Sequence, residues 1–142
     1  MKIAIGSDHG GFKLKEYLRQ FLAKAGHKVK DFGCFSEESV DYPDIARPLS
    51  QAVAKKQYKF GILVCGTGIG VNMVANKMPG IRAALCHNIF TAQMAREHNN
   101  ANVLCLGGRV LSNPLARQIV QKFLATDFAG GRHLRRVKKI GR

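Results

Sequence analysis

Phe60-Gly61-Ile62-Leu63-Val64-Cys65 is an unbroken apolar run, and Gly66-Thr67-Gly68-Ile69-Gly70 follows it at once. Consecutive apolar residues without alternation are expected of a central strand buried on both faces, as in a parallel sheet. Three glycines at alternate positions then turn the chain, and residues 69–77 read as a helix. Strand, tight turn and helix in that order are half of a βαβ crossover, and the rest of the chain repeats the unit.

Upstream, residues 2–6 form a short apolar strand that runs into Gly6-Ser7-Asp8-His9-Gly10-Gly11. Leu14, Tyr17, Leu18, Phe21 and Leu22 recur at helical spacing, which predicts an amphipathic helix over 12–24 with Gly26 as its stop. Residues 28–32 read as a second strand, and a polar loop through Glu37, Glu38 and Asp41 leads to a helix from Pro43 to about Lys55. Downstream come a strand from Arg82 to Cys86, a helix over 89–97 and a strand from Asn102 to Leu106, turned by Gly107-Gly108. Ser112 and Pro114 open a further helix with Leu115, Ile119, Val120, Phe123 and Leu124 on one face. The alternation predicts an α/β chain with a single-domain, doubly wound, parallel five-stranded sheet, a Rossmann-like three-layer sandwich ordered 2-1-3-4-5. A basic helical extension over about residues 128–142 completes it. In that order the loops after the first and third strands flank the switch point where open α/β sheets bind ligands. Those loops carry Asp8-His9 and Cys65-Gly66-Thr67-Gly68.

With 46% hydrophobic and 23% charged residues, the 142-residue chain has an ordinary globular balance, which excludes wholesale disorder. The net charge of +14 is the unusual quantity. It is also uneven: residues 1–50 hold 8 basic and 7 acidic side chains, whereas residues 51–142 hold 15 and 2. Such an excess speaks to nucleic acid, an anionic membrane or a small anionic substrate. No apolar stretch approaches the roughly 20 residues of a membrane-spanning helix, and the opening Met1–Gly6 does not read as a secretion signal. Cys34, Cys65, Cys86 and Cys105 form neither a CxxC pair nor a zinc spacing, so they are expected as free thiols in a reducing cytoplasm.

The glycine turn at 66–70 suits an anion, whether a phosphate or an enolate forming during reaction, because successive N–H groups converge there. A dinucleotide fingerprint is the weaker reading, since the pattern is GxGxG after the third strand and no acidic residue lies near residue 90. It is not a Walker A loop, because no Gly-Lys-Ser/Thr follows. Cys65 stands at the mouth of the turn, where a thiolate could serve as nucleophile, base or redox sensor. The other three cysteines read as buried structural residues. Asp8-His9 faces Cys65 across the switch point, as a pair for hydroxyls and anions or as a loop cap. His98-Asn99 closes the fourth helix, and Arg109 follows Gly107-Gly108 at the same rim as the glycine turn. Residues 132–142 hold six Lys/Arg in eleven positions. Arg132 and Arg136 would share a helix face as a phosphate clamp, while Leu134, Val137 and Ile140 make an apolar stripe suited to docking on protein. The plain alternative is a solvated tail.

Read in order, Gly6-Ser7-Asp8-His9-Gly10-Gly11-Phe12, Asp41-Tyr42-Pro43-Asp44, Cys65–Gly70, Ala75-Asn76-Lys77, Gly80-Ile81-Arg82-Ala83, Glu97–Leu104 and Gly130-Gly131-Arg132-His133 carry a family likeness. The chain resembles ribose-5-phosphate isomerase of the B type, in the family that also holds galactose-6-phosphate isomerase subunits. The resemblance implies an aldose–ketose isomerase of pentose phosphate metabolism without metal or other cofactor, converting ribose 5-phosphate and ribulose 5-phosphate through a cis-enediol. By position it implies Cys65 as the base that moves a proton between C2 and C1, with Gly66, Gly68, Ile69 and Gly70 around the enediolate. Thr67 and His98 would assist ring opening, a role that His133 could share, and Asp8 would hold sugar hydroxyls. His9, Arg109, Arg132 and Arg136 would grip the phosphate, while Tyr42 and Asn99 line the pocket. One branch of the family uses a Glu just after the glycine loop; Val71 stands there, so Cys65 is the matching base. The resemblance also implies a homodimer or homotetramer with the site at the subunit interface, and neither a membrane nor a specific nucleic-acid partner. An isomerase of allose 6-phosphate or galactose 6-phosphate is the alternative within the class. A basic nucleic-acid-binding protein or a mononucleotide-binding domain on the same fold is the alternative outside it.

Overall fold

The computed structural model describes residues 1–141; Arg142, the last of the basic run, lies outside them. Five strands pair in parallel throughout: β1 (Lys2–Ser7), β2 (Lys28–Asp31), β3 (Phe60–Cys65), β4 (Ala83–Leu85) and β5 (Val103–Gly107). Helices α1 (Phe12–Lys24), α4 (Ile89–Glu97) and α5 (Asn113–Ala125) pack on one face around Ile3, Ile5, Ile62 and Val64. Helices α2 (Tyr42–Ala54) and α3 (Ile69–Ala75) cover the other, around Ala4, Leu63, Cys65 and Cys105. Every residue of β3 is buried, as its unbroken apolar run requires. The expected stripe of α1 is in place, with Leu14, Leu18 and Leu22 buried and Tyr17 and Phe21 packed beside them. A last helix, α6 (Arg132–Ile140), forms the basic extension, and none of its residues is buried.

The strand order is β2-β1-β3-β5-β4, which corrects the expected 2-1-3-4-5 at its last two positions. The reason lies in the strands themselves. β5 is five apolar or glycine residues, all buried, and takes the interior place beside β3. β4 is three half-buried residues, enough only for an edge. The exchange has a functional consequence, because the loops after β3 and β5 become neighbours. Gly108 N–H donates to the Cys65 carbonyl at 2.8 Å, and Arg109 N–H to the Gly66 carbonyl at 2.9 Å. With β4 between them these segments would not touch.

One buried charge was not visible in the helical pattern. Lys15 lies on the inner face of α1 with its side chain fully buried. Its ammonium donates to Asp31 Oδ2 at 2.8 Å, to Asp31 Oδ1 at 3.0 Å and to the Cys34 carbonyl. The rings of Phe12 and Phe35 lie 5.1 and 5.3 Å from the same nitrogen. Asp31 in turn accepts from Gly33 N–H, and Gly33 and Cys34 exchange backbone bonds with Ser7 at the end of β1. Lys15 thus anchors the root of the loop that runs from β2 to Tyr42. Removing one partner of such a pair leaves the other charge without compensation. Lys15→Met is therefore expected to lower unfolding free energy by about 3 kcal/mol in urea titration, with Lys15→Met/Asp31→Asn recovering part of the loss.

Candidate active site

β1, β3 and β5 end at the same edge of the sheet, and each delivers a loop there. Asp8 caps the single 3-10 turn His9–Gly11: its Oδ1 accepts Gly11 N–H at 3.1 Å, and its own N–H donates to the Val64 carbonyl at 3.2 Å. His9 Nδ1 accepts the Val40 N–H at 3.2 Å. That bond fixes the neutral ring as the tautomer with hydrogen on Nε2. Asp8, His9 and the segment Ser39–Asp44 enclose a cleft of about 500 Å³.

Cys65 closes β3 with only 5% of its surface exposed, and its Sγ accepts the Gly68 N–H at 3.1 Å. The loop reaches that position because Gly68 adopts φ +80°, with Leu85 Cδ1 and Leu106 so close that a Cβ would meet them at 2.6 and 2.8 Å. Thr67 is exposed, and its Oγ1 accepts from Ile69 N–H. Arg109 folds over the start of the loop: a Cβ on Gly66 would meet its Nη1 at 2.9 Å, and one on Gly10 its Nη2 at 3.3 Å. The ring of Tyr42 lies over Gly70 in the same sense, at 2.6 Å from a Cβ built there. Asp8, His9, Tyr42, Cys65, Gly66, Thr67, Gly68, Ile69, Gly70 and Arg109 therefore share one edge. A thiol with a fixed N–H on its sulfur, a guanidinium against the next residue of its loop, and an imidazole and a carboxylate on the neighbouring loop are groups that can hold an anion and move a proton.

His98, Asn99, Arg132, His133 and Arg136 do not join this group. A crossover helix runs antiparallel to its strands, so α4 ends at the opposite edge. The turn after it is tied to the starts of the strands: Arg82 Nε donates to the Asn100 carbonyl, Arg82 N–H to Asn102 Oδ1 and Gly61 N–H to the Asn102 carbonyl. α5 also ends at this edge, and Ala129 N–H donates to the Glu97 carbonyl at 3.0 Å. His133, in the first turn of α6, stacks on His98 with ring centroids 4.2 Å apart and planes 12° from parallel. The length of β3, roughly 16 Å at ~3.3 Å per residue, separates the two groups within one chain. Among the described residues no three His, Cys, Asp or Glu converge as a metal site, and no helix is long and apolar enough to cross a membrane.

Two contacts were not read from the sequence. Val40 acts through its backbone N–H, which no side chain reveals. Arg96 is buried, and the spacing Ala92, Ala95, Arg96 does place it on the inner face of α4. All four cysteines are buried as free thiols. Burial pushes the Cys105 thiol far above the ordinary range and the Cys86 thiol upward, which keeps both neutral.

Proteins similar in shape and sequence are consistent with this chemistry. The structure of Clostridium thermocellum ribose-5-phosphate isomerase B superposes with a TM-score of 0.98 at 53% identity, covering 99% of this chain and 95% of that one. Ribose-5-phosphate isomerase B of Escherichia coli is 45% identical over 98% of this chain and 93% of its own length. D-erythrulose-4-phosphate isomerase of Pectobacterium atrosepticum is 43% identical over 99% of this chain and 93% of its own. Fold, site and relatives together define a sugar phosphate isomerase of the aldose–ketose class. The family described as Ribose/Galactose Isomerase matches residues 3–140, and the chain belongs to it.

The stacked pair yields a pH signature. Loss of water around the His133 ring, and then the positive neighbours His98, Arg132 and Arg136, outweigh Glu97 and hold its pKa below the ordinary histidine value. Because the folded state prefers the neutral ring, this contribution is complete above about pH 6.5 and is lost as pH falls through the folded pKa. An NMR titration is expected to show His133 with a midpoint below about 6.5, moving upward in His98→Gln.

Proposed function

We propose that the chain interconverts ribose 5-phosphate and ribulose 5-phosphate through a cis-enediol, with Cys65 as the base. The observation that carries this reading is Cys65 Sγ at the glycine loop, with Gly68 N–H on the sulfur and Arg109 alongside. In the open aldose the C2 proton passes to Sγ, the C–H electron pair forms the C1–C2 double bond, and negative charge develops on O1. Transfer of the O2 hydroxyl hydrogen to O1 and return of the proton from Sγ to C1, as the C2–O2 bond becomes the ketone, complete an isomerisation with no net redox change. Backbone N–H groups between Gly66 and Gly70 stabilise the enediolate oxygen, a type of interaction worth about 3–4 kcal/mol per donor in the transition state. Asp8 holds sugar hydroxyls, Tyr42 lines the pocket, and His9 with Arg109 receives the phosphate. Binding at that remote group helps hold the open chain in register for the base.

The separation of the two residue groups supports a shared site. No small sugar phosphate reaches around the sheet, so His98, Asn99, Arg132 and Arg136 serve Cys65 only when a second copy presents them. We assign the protein as a cytoplasmic homodimer, or a tetramer built of such dimers, in which a two-fold axis makes two equal sites. Thr67 of one copy and His98 of the other then open the ring, with His133 stacked behind His98. Ile69 and Met73, one turn apart on α3 and 47% and 63% exposed, give the axis an apolar surface to bury beside the site.

A second reading rests on the erythrulose-phosphate enzyme, since a relative of similar identity has a name with a four-carbon sugar. Six-carbon phosphates (allose 6-phosphate and galactose 6-phosphate) belong in the same comparison. A kcat/KM panel over these sugars decides among them, with ribose 5-phosphate expected to rank first. In EDTA, Cys65→Ala is expected to lower kcat on ribose 5-phosphate by about 10³-fold or more. Retained turnover in that variant removes Cys65 as the base.

A further inference from the structure

We infer that Arg96 is a positioning residue that holds the His98–Asn99 turn and the root of α6 in one fixed relation, and acts on turnover through the site of the second copy. The inference rests on the shared site proposed above. Arg96 is 7% exposed, with its guanidinium beside the edge-to-face pair Phe60 and Phe123, 4.7 and 5.7 Å from their ring centroids. Nη1 donates to Asn100 Oδ1 at 2.9 Å and to the Ala101 carbonyl, while Nε donates to the Thr126 carbonyl at 3.2 Å. These acceptors belong to two segments, the turn after α4 and the connection from α5 to α6. A planar fork of fixed donors is the side chain suited to holding them together. Among the described residues no carboxylate pairs directly with Arg96, although the charge of Asp127 acts in its favour.

Three consecutive residues tie the C-terminal arm to the body. The Arg96 side chain takes Thr126, the Glu97 carbonyl takes Ala129, and the His98 ring takes His133. Since α6 buries no residue of its own, these ties set where Arg132 and Arg136 stand. The same guanidinium holds the far side of the turn, where Asn100 adopts φ +49° and Arg82 grips its carbonyl. A change at Arg96 therefore disturbs His98 and the α6 arginines together, while Cys65 and its loop at the opposite edge stay intact.

Subunit mixing tests this. Arg96→Gln alone is expected to lower kcat/KM for ribose 5-phosphate at least tenfold, with Arg96→Lys intermediate because it keeps the cationic side chain beside the rings and one donor group. Copies carrying Arg96→Gln and Cys65→Ser are co-expressed with different tags and the mixed dimers purified through both. Each mixed dimer holds one site made of two sound halves, so activity returns to about half that of the unaltered dimer. A parallel mixture of His98→Ala with Cys65→Ser tests the shared site itself. Recovery there without recovery for Arg96→Gln overturns the inference alone, as does full activity of Arg96→Gln by itself. Failure of both mixtures overturns the shared site, and the inference with it. If Arg96→Gln does not fold, Arg96→Lys enters the same mixture, and its failure to regain activity beside a recovering His98→Ala mixture counts equally against the inference.

Discussion

Backbone-to-backbone contact at one edge of the sheet is the constraint on which the rest of the molecule depends. A side chain on Gly11 would meet the Val64 carbonyl carbon at 2.6 Å, and one on Gly108 the Gly10 oxygen at 2.9 Å. Only chains without side chains at those positions can bring the loops after β1, β3 and β5 into contact. The contact places Arg109 over Gly66 and seats the loop of Asp8 and His9 directly beside the loop of Cys65. The apolar pairing of β3 with β1 and β5 supplies the rigidity behind it, since all of β3 and β5 is buried.

Most of the architecture was legible in the residues. The apolar run 60–65, the stripe Leu14–Leu18–Leu22 and the Ser112-Pro114 start of α5 each combine a local preference with a burial pattern, and the two agree. The order of the last two strands was not legible, because hydrophobicity distinguishes an interior strand from an edge only by comparison. The length of β4 decides it, and residues 82–86 read as five positions where only three pair. At the Cys65 edge, residue types pointed to the group that gathers there. The separation of the second group follows instead from helix direction, which puts the end of α4 at the far edge whatever residues it carries. Motif spacing contains nothing about that distance.

Two buried cations serve as anchors in a chain whose surplus charge otherwise lies on the surface. Lys15 gathers a carboxylate and a carbonyl under the loop that leads to His9's partner Val40 and to Tyr42. Arg96 gathers carbonyls and an amide under the turn that carries His98. Each satisfies groups that loops leave unpaired, and each has two aromatic rings beside it. Neither contributes to the net charge felt by an approaching anion in the way that exposed α6 does. The +14 is thus two populations, a few cations that hold shape and many that face solvent.

The strand order also governs how the chain can fold as it is made. β5 lies between β3 and β4, although β4 precedes it in the sequence. When residue 65 leaves the ribosome, β3 can pair with β1, but its other edge has no partner until residue 107 has followed. β4 meanwhile has nothing to pair with, since its one neighbour is β5. For the time needed to synthesise some forty residues, on the order of seconds, the most apolar strand presents an open edge. That interval is when a nascent chain of this topology is most exposed to pairing with the wrong strand, and it ends only when β5 inserts.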